Sequence, residues 1–362
     1  MLVNGQQAPG LISFTVTNSN FFTCDKWSAT IALDGAGQGW GAPQWALQTG
    51  IDLQLCAALA PGAALTTIIG GTVDKAELDL DGQRVTLAGR DYSAPLIDTL
   101  TNAKYVNQTS SQVAATIAAA HGLATQITAT SIPVGRYLDS ETAHISDDLS
   151  EFRLLSYLAQ QEGFDLYTKG RTLVFAPPQT DPNPLILTYS YGPPQLNSKG
   201  LRLIHDKVLG QQVVTVQVRS WNYQQKKPII ATWQSQKTTV PPKGQKHATP
   251  PTMNFTRSQL QGGAGAKGPF YIERRSGLTQ QQADQLAQKL LKDITSNERA
   301  VEYEGPAILG VDARRTLRLT GTNTAFDQDY TIGEVERTFG WDAGATMNIH
   351  AKASSPQEQI TL

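Results

Sequence analysis

Residues 66–91 read TTIIGGTVDKAELDLDGQRVTLAGRD. Apolar and polar side chains alternate on both sides of Asp81-Gly82, a dipeptide suited to a tight turn, so the stretch predicts a β-hairpin. Such alternation buries one face and leaves the other wet. Upstream, LISFTVTN, WSATIALDG and IDLQLCAAL have the same texture and are bounded by Gly, Asn or Asp. Many short strands at regular spacing predict a first β-barrel-like domain over residues 1–100.

Past Leu96 the period changes. Ser110 or Ser111 is placed to cap a helix through Ala120, with Val113, Ile117 and Ala120 on one face. Gly122 stands where a left-handed C-cap falls. A loop with Pro133 and Gly135 follows. Residues 149–175, LSEFRLLSYLAQQEGFDLYTKGRTLVF, then read as a helix and a hairpin. Asp148 and Glu151 fit a capping box. Leu149, Phe152, Leu155, Leu158 and Ala159 form the apolar stripe, Gly163 stops the helix, and Lys169-Gly170 turns the hairpin. The unit is a small α+β domain over residues 101–177, closed by PPQTDPNP.

From Lys199 the β pattern returns in GLRLIHDK and QQVVTVQVRSWN, and a second β-barrel-like domain is expected over 178–362. A Pro- and Gly-rich polar tract at 235–268 predicts a mobile loop. A helix is expected at 279–297, with Thr279 and Gln282 as a capping box and a stripe from Ala283 to Ile294. The strands AVEYEG, TLRLTGT, DYTIGEVERTF and ATMNIHAKA follow, and a frayed tail from Pro356. The fold class is therefore α+β, mainly β: two β-barrel-like domains, a small α+β domain between them and a late amphipathic helix.

The chain has 362 residues, 40% hydrophobic and 17% charged, with net charge -1. That charge is uneven. Residues 1–165 hold 7 basic and 16 acidic side chains, and residues 199–275 hold 13 basic and 2 acidic. Such asymmetry suits nucleic-acid binding, meeting surfaces between domains or subunits, or a solvated basic loop. Cys24 and Cys56 have no CxxC partner and read as reduced thiols. No run reaches the ~18 apolar residues of a membrane span. No basic-then-apolar start suggests a signal peptide.

Motifs for chemistry are sparse. His121, His144, His205, His247 and His350 lack metal-ligand spacing. There is no GxSxG elbow and no Cys-His arrangement. GGAGAKGP lacks the ending of a phosphate loop, and GQGWGA at 37–42 is followed by Pro43 and Trp45 where a helix should open. Two carboxylate pairs stand out: Asp147-Asp148 at a helix start, and Glu334 with Glu336 on one face of a strand. Basic residues at 199–275 alternate with Trp221, Tyr223, Trp233, Phe255, Phe270 and Tyr271, as in single-strand binders. No catalytic, cofactor-binding or metal-binding residue is expected.

The order of four stretches resembles a known family. GTVDKAELDLDGQRVTLAGRDYSAPLIDT (71–99), LSEFRLLSYLAQQEGFDLYTKGRTLVF (149–175), VTVQVRSWNYQQKKPI (214–229), and GPAILGVDARRTLRLTG with DYTIGEVERTFG (305–340) are similar to segments of the baseplate hub proteins of contractile phage tails. These include the late control protein D group and are related to the hub part of type VI secretion spikes. The resemblance implies a non-catalytic structural hub forming a homotrimeric ring. That ring would join the hexameric tail tube protein to the trimeric central spike protein, with tape measure protein or DNA in its channel. It implies assembly in the host cytoplasm, then residence in the virion tail baseplate, with no membrane insertion of its own. Subunit contacts by strand pairing are expected near Val214–Trp221 and Tyr330–Phe339. The alternatives are a cell-wall polymer hydrolase using a carboxylate pair, and a nucleic-acid binder using 199–275.

Overall fold

The computed structural model of the chain describes all residues but 21, 34–40, 61, 102, 104, 106–107, 132–148, 190–199, 207–208, 210–212, 223–225, 239–251, 261, 264, 276, 343 and 354–362. Its largest element is a 13-stranded sheet. The order across it is Gly200–His205, Arg299–Pro306, Gly344–Ala353, Asp329–Gly340, Leu11–Ser19, Lys26–Ala32, Arg84–Asp91, Thr66–Asp79, Asp52–Ala57, Leu2–Val3 and Gln6–Gln7. Thr316–Thr320 and Leu185–Thr188 branch from it beside Asp329–Gly340. The chain is mainly β with helices, as its texture predicts. The path is open at both ends among the described strands.

The two β-rich regions are one sheet because Leu11–Ser19 pairs antiparallel with Asp329–Gly340, from Ser13 opposite Gly340 to Ser19 opposite Glu334. Inward side chains of both halves form one core, including Val16, Ile31, Leu87, Leu317, Tyr330 and Ile349. Phe14 stacks on Phe339 at 4.6 Å across the seam. Burying each such side chain contributes roughly 1.5–3 kcal/mol.

The hairpin of residues 66–91 forms, but its loop is four residues, Leu80–Gln83. The left-handed position falls on Gln83 (φ 48), while the Asp79 carboxylate accepts from the Gly82 amide at 2.8 Å. The register slips between Val73 and Lys75. At this bulge Asp74 meets Arg90 in a two-pronged contact, at 2.6 and 3.1 Å. Gly89 matters through space rather than φ. A Cβ there would lie 2.0 Å from the Thr72 carbonyl oxygen and 2.4 Å from the Trp27 ring.

A second core belongs to the α+β unit. Helices Ser110–Ala120 and Glu151–Glu162 pack on the sheet Asp165–Lys169, Thr172–Ala176 and Ala124–Ile127. Thr109, not Ser110 or Ser111, caps the first helix, in a capping box with Gln112. Ser110 and Ser111 are instead buried. The second helix is capped by Ser150, whose side chain accepts from the Arg153 amide, so the start lies later than an Asp148 cap would set it. Asp148 itself lies outside the described residues. Gly163 (φ 73) ends this helix. Ala124–Ile127 pairs in parallel with Thr172–Ala176, a long-range contact that local alternation does not reveal.

A third core lies within residues 178–362, apart from the large sheet. The sheet Thr252–Arg257, Lys227–Thr238, Thr215–Asn222 and Phe270–Arg274 carries helix Gln280–Ser296 on one face. That helix has the Thr279–Gln282 capping box. Residues 235–238 and 252–257, placed in the expected loop of 235–268, are strands paired to one another, from Ser235 opposite Phe255 to Thr238 opposite Thr252. Pairing supplies the order that their polarity hides; residues 239–251 lie outside the described ones. Pro43 does open a helix, Ala42–Leu47, because proline fits the first turn. Both strands expected at subunit edges are interior. Thr215–Asn222 lies between two partners, and Asp329–Gly340 pairs with three. Among the described residues, no helix is long and apolar enough to cross a membrane.

Gly89→Ala is expected to destabilise the fold by about 1–3 kcal/mol, because the crowding atoms include backbone. Urea unfolding of the variant measures it, and an unchanged midpoint would contradict the packing of Trp27 on this strand.

Candidate functional site: the polar seam between three cores

The inward rows of three strands carry polar residues. On Leu11–Ser19 the row Phe14, Val16 continues to Asn18; on Arg84–Asp91 the row Val85, Leu87, Gly89 continues to Asp91. On Asp329–Gly340, Val335 and Phe339 bracket Arg337. All three polar residues are buried, and the strand order brings them to one end of the sheet.

They form a continuous network. Arg337 donates from Nη1 to Asn18 Oδ1 at 2.7 Å, and Asn18 donates from Nδ2 to Asp25 Oδ2 at 2.7 Å. The Ser19 amide donates to the other Asp25 oxygen at 2.9 Å. The Asp25 carbonyl accepts from the Asp91 amide at 3.0 Å. Asp91 accepts from the Ser93 amide and hydroxyl, and from Thr168 Oγ at 2.7 Å. Thr168 belongs to the α+β unit, so Asp91 ties that unit to the large sheet.

The electrostatics are poised. Burial, then the neighbouring Asp91 carboxylate, pushes Asp25 up to about 7 against the two hydrogen bonds it accepts. Burial likewise raises Asp91 and lowers Arg337. Asp312 and Asp25 favour the charged Arg337. Arg314 extends the seam, donating to the Ser19 carbonyl at 3.1 Å and lying 3.9 Å over the Tyr167 ring.

The third core joins through the late helix. Lys289 lies 5.4 Å over the Phe22 ring, and burial draws its ammonium below the usual range. Asp165 and Asp293 are raised by burial near it. Arg275 donates to Gln160 at 3.0 Å and stacks over Tyr157 at 4.8 Å, linking the third core to the α+β unit. The seam is built to hold parts in register.

The residues singled out in the sequence are scattered. Glu334 is exposed and Glu336 half-buried, on the outward side of their strand, opposite Ser19 and Thr17. Asp147, Asp148, His144 and His247 lie outside the described residues. His121 bonds Glu151, His205 lies 3.6 Å from Glu298, and His350 pairs in the sheet with Glu302 and Glu334. Among the described residues no group of three or more His, Cys, Asp or Glu could hold a metal ion. Cys24 and Cys56 are free thiols. The seam residues escaped the motif search because they form no motif. The signal that finds them is phase: Asn18, Asp91 and Arg337 each fall on the apolar side of an alternating strand.

Solved structures share this architecture over the full length. The chain superposes on the 43 kDa tail protein of prophage MuSo2 from Shewanella oneidensis with a TM-score of 0.64 and 15% identity, covering 96% of each chain. A tail protein from Neisseria meningitidis MC58 gives 0.63 and 11%, covering 97% of this chain and 95% of that one. An Escherichia coli component of the type VI secretion system, described as similar to bacteriophage T4 tail proteins, gives 0.52 and 11%, covering 98% and 76%. No protein-family model matches the sequence, and no curated protein is significantly similar to it. The chain thus has the fold of phage tail proteins.

Two outcomes follow. Asp25 has a folded value near 7 against an ordinary 3.8, so the folded state holds the extra proton between these values. Its contribution is present below about pH 4 and is lost as pH rises through 7. Relative to the parent, Asp25→Asn should therefore gain stability as pH rises from about 5 to about 8, by at most about 1.4 kcal/mol per pH unit. Parallel pH profiles of thermal unfolding would refute the assignment. Thr168→Val removes one donor to a buried carboxylate and should cost about 1–3 kcal/mol in urea unfolding.

Proposed function

We propose that the chain is a structural subunit of a contractile phage or phage-derived tail baseplate. The observation that carries this reading is the fold shared with a prophage tail protein over 96% of both chains. The seam agrees with it. Three cores are locked together by a network suited to transmitting load, and Glu334 and Glu336 lie on the outward side of their strand.

In this reading the chain is a hub. It forms a homotrimeric ring that joins the hexameric tail tube to the trimeric central spike, and tape measure protein or DNA occupies the channel. It performs no catalysis, assembles in the host cytoplasm and ends in the virion baseplate. The residue ranges 1–100, 101–177 and 178–362 remain the proposed division of labour, with the first and last sharing the large sheet.

Light scattering of the purified chain over a range of concentrations tests the reading. A stable particle of three 39.1 kDa chains is expected. A monomer throughout would count against the ring. Clearing of peptidoglycan that disappears in Glu334→Gln or Glu336→Gln would replace the hub with a hydrolase.

A further inference from the structure

The four-stranded sheet ends in an outer strand, Phe270–Arg274, which among the described residues pairs only with Thr215–Asn222, in parallel. The Thr215 amide donates to the Pro269 carbonyl at 2.9 Å, and the Arg275 amide to the Arg219 carbonyl at 3.0 Å. Backbone groups alternate along a strand, so those of Phe270, Ile272 and Arg274 point away from Thr215–Asn222. The late helix packs on the two middle strands. Tyr271, on the helix side of the outer strand, is 43% exposed, and Ile272, on the other side, is 44% exposed. The edge holds no proline, lysine or bulge to blunt it.

The charges on this strand are unequal in their partners. Glu273 is held by Arg275 at 3.0 Å. Arg274 is exposed and stands opposite Arg219 in register, on the side away from the helix. Like charges directly opposite repel. Arg219 bonds the Gln217 amide oxygen at 2.7 Å, and among the described residues neither guanidinium meets a carboxylate. An acid laid beside the pair relieves that repulsion and accepts charge-assisted bonds.

We propose that Phe270–Arg274 takes an extended segment of a partner protein as a fifth strand. That segment carries apolar side chains beside Tyr271 and Ile272, and Asp or Glu beside Arg219 and Arg274. The outward amides and carbonyls supply affinity, and the arginine pair sets the register. An outer strand of a second copy does not fit this chemistry. Among the described residues, the other outer strands Thr252–Arg257, Gly200–His205, Leu185–Thr188, Ala124–Ile127 and Gln6–Gln7 contain no Asp or Glu. Nucleic acid brings phosphates but no backbone ladder for the outward amides.

The test is selection of a displayed library of random dodecapeptides on the full chain, followed by hydrogen exchange with a selected peptide bound. The variants are Ile272→Pro, which removes an outward amide while sparing the inner ladder, and Arg274→Glu, an exposed change that leaves the backbone intact. The expected peptides alternate β-branched or aromatic residues and carry Asp or Glu at one end. They should bind both variants at least about ten-fold more weakly than the parent, and slow exchange of the Phe270, Ile272 and Arg274 amides. Selected peptides without acid enrichment, or equally tight binding to Arg274→Glu, would overturn the proposal even if Ile272→Pro fails to fold. Failure of the library to yield any peptide that protects these amides would overturn it too. Parent self-association lost in Arg274→Glu would replace the partner with a second copy. Binding of a labelled single-stranded oligonucleotide, lost in the same variant, would replace it with nucleic acid.

Discussion

The hydrogen bond from Arg337 to Asn18 joins residues 319 positions apart in the chain. It joins the strand Asp329–Gly340 to the strand Leu11–Ser19, which pair over seven residues. Without that pairing the large sheet would be two fragments with open edges. The bond is also where charge is buried. Arg337 Nε has no hydrogen-bond partner among the described residues, so the guanidinium depends on Asn18 and on the nearby carboxylates Asp25 and Asp312. A buried charge that loses its partner costs about 3–5 kcal/mol, so register here is strongly specified.

The other two cores hang on this junction. Asp25 shares Asn18 with Arg337, and its carbonyl holds the Asp91 amide. Asp91 in turn accepts from Thr168 of the α+β unit. Arg90, one residue away, binds both Asp74 at the bulge and Asp98 beyond the next turn. The Gly-Arg-Asp of residues 89–91 thus has three separate duties. Glycine admits Trp27, arginine clamps the bulge and the turn, and aspartate anchors a neighbouring unit. Cross-core polar bonds resist sliding in a way that non-directional apolar contact does not.

Much of this was legible locally. The strand texture of the first hundred residues, the helix stops at Gly122 and Gly163, the turn at Gly170 and the Thr279–Gln282 cap are all short-range features. The polar seam was half-legible. Phase places Asn18, Asp91 and Arg337 on inward faces, but each reads alone as an ordinary polar residue in a strand. The strand Thr252–Arg257 was hidden because its order comes from a partner rather than from its own apolar content.

The sequence by itself determined element types, the mainly β class and the absence of any recognisable reactive motif, because these depend on periods of two and 3.6 and on turn chemistry. Tertiary structure alone decided that the first and last β regions form one sheet and that residues 215–296 build a core of their own. It also decided that Asp25 titrates near neutrality. Each of these depends on which distant strands become neighbours, and backbone pairing carries no side-chain code that a single strand can display.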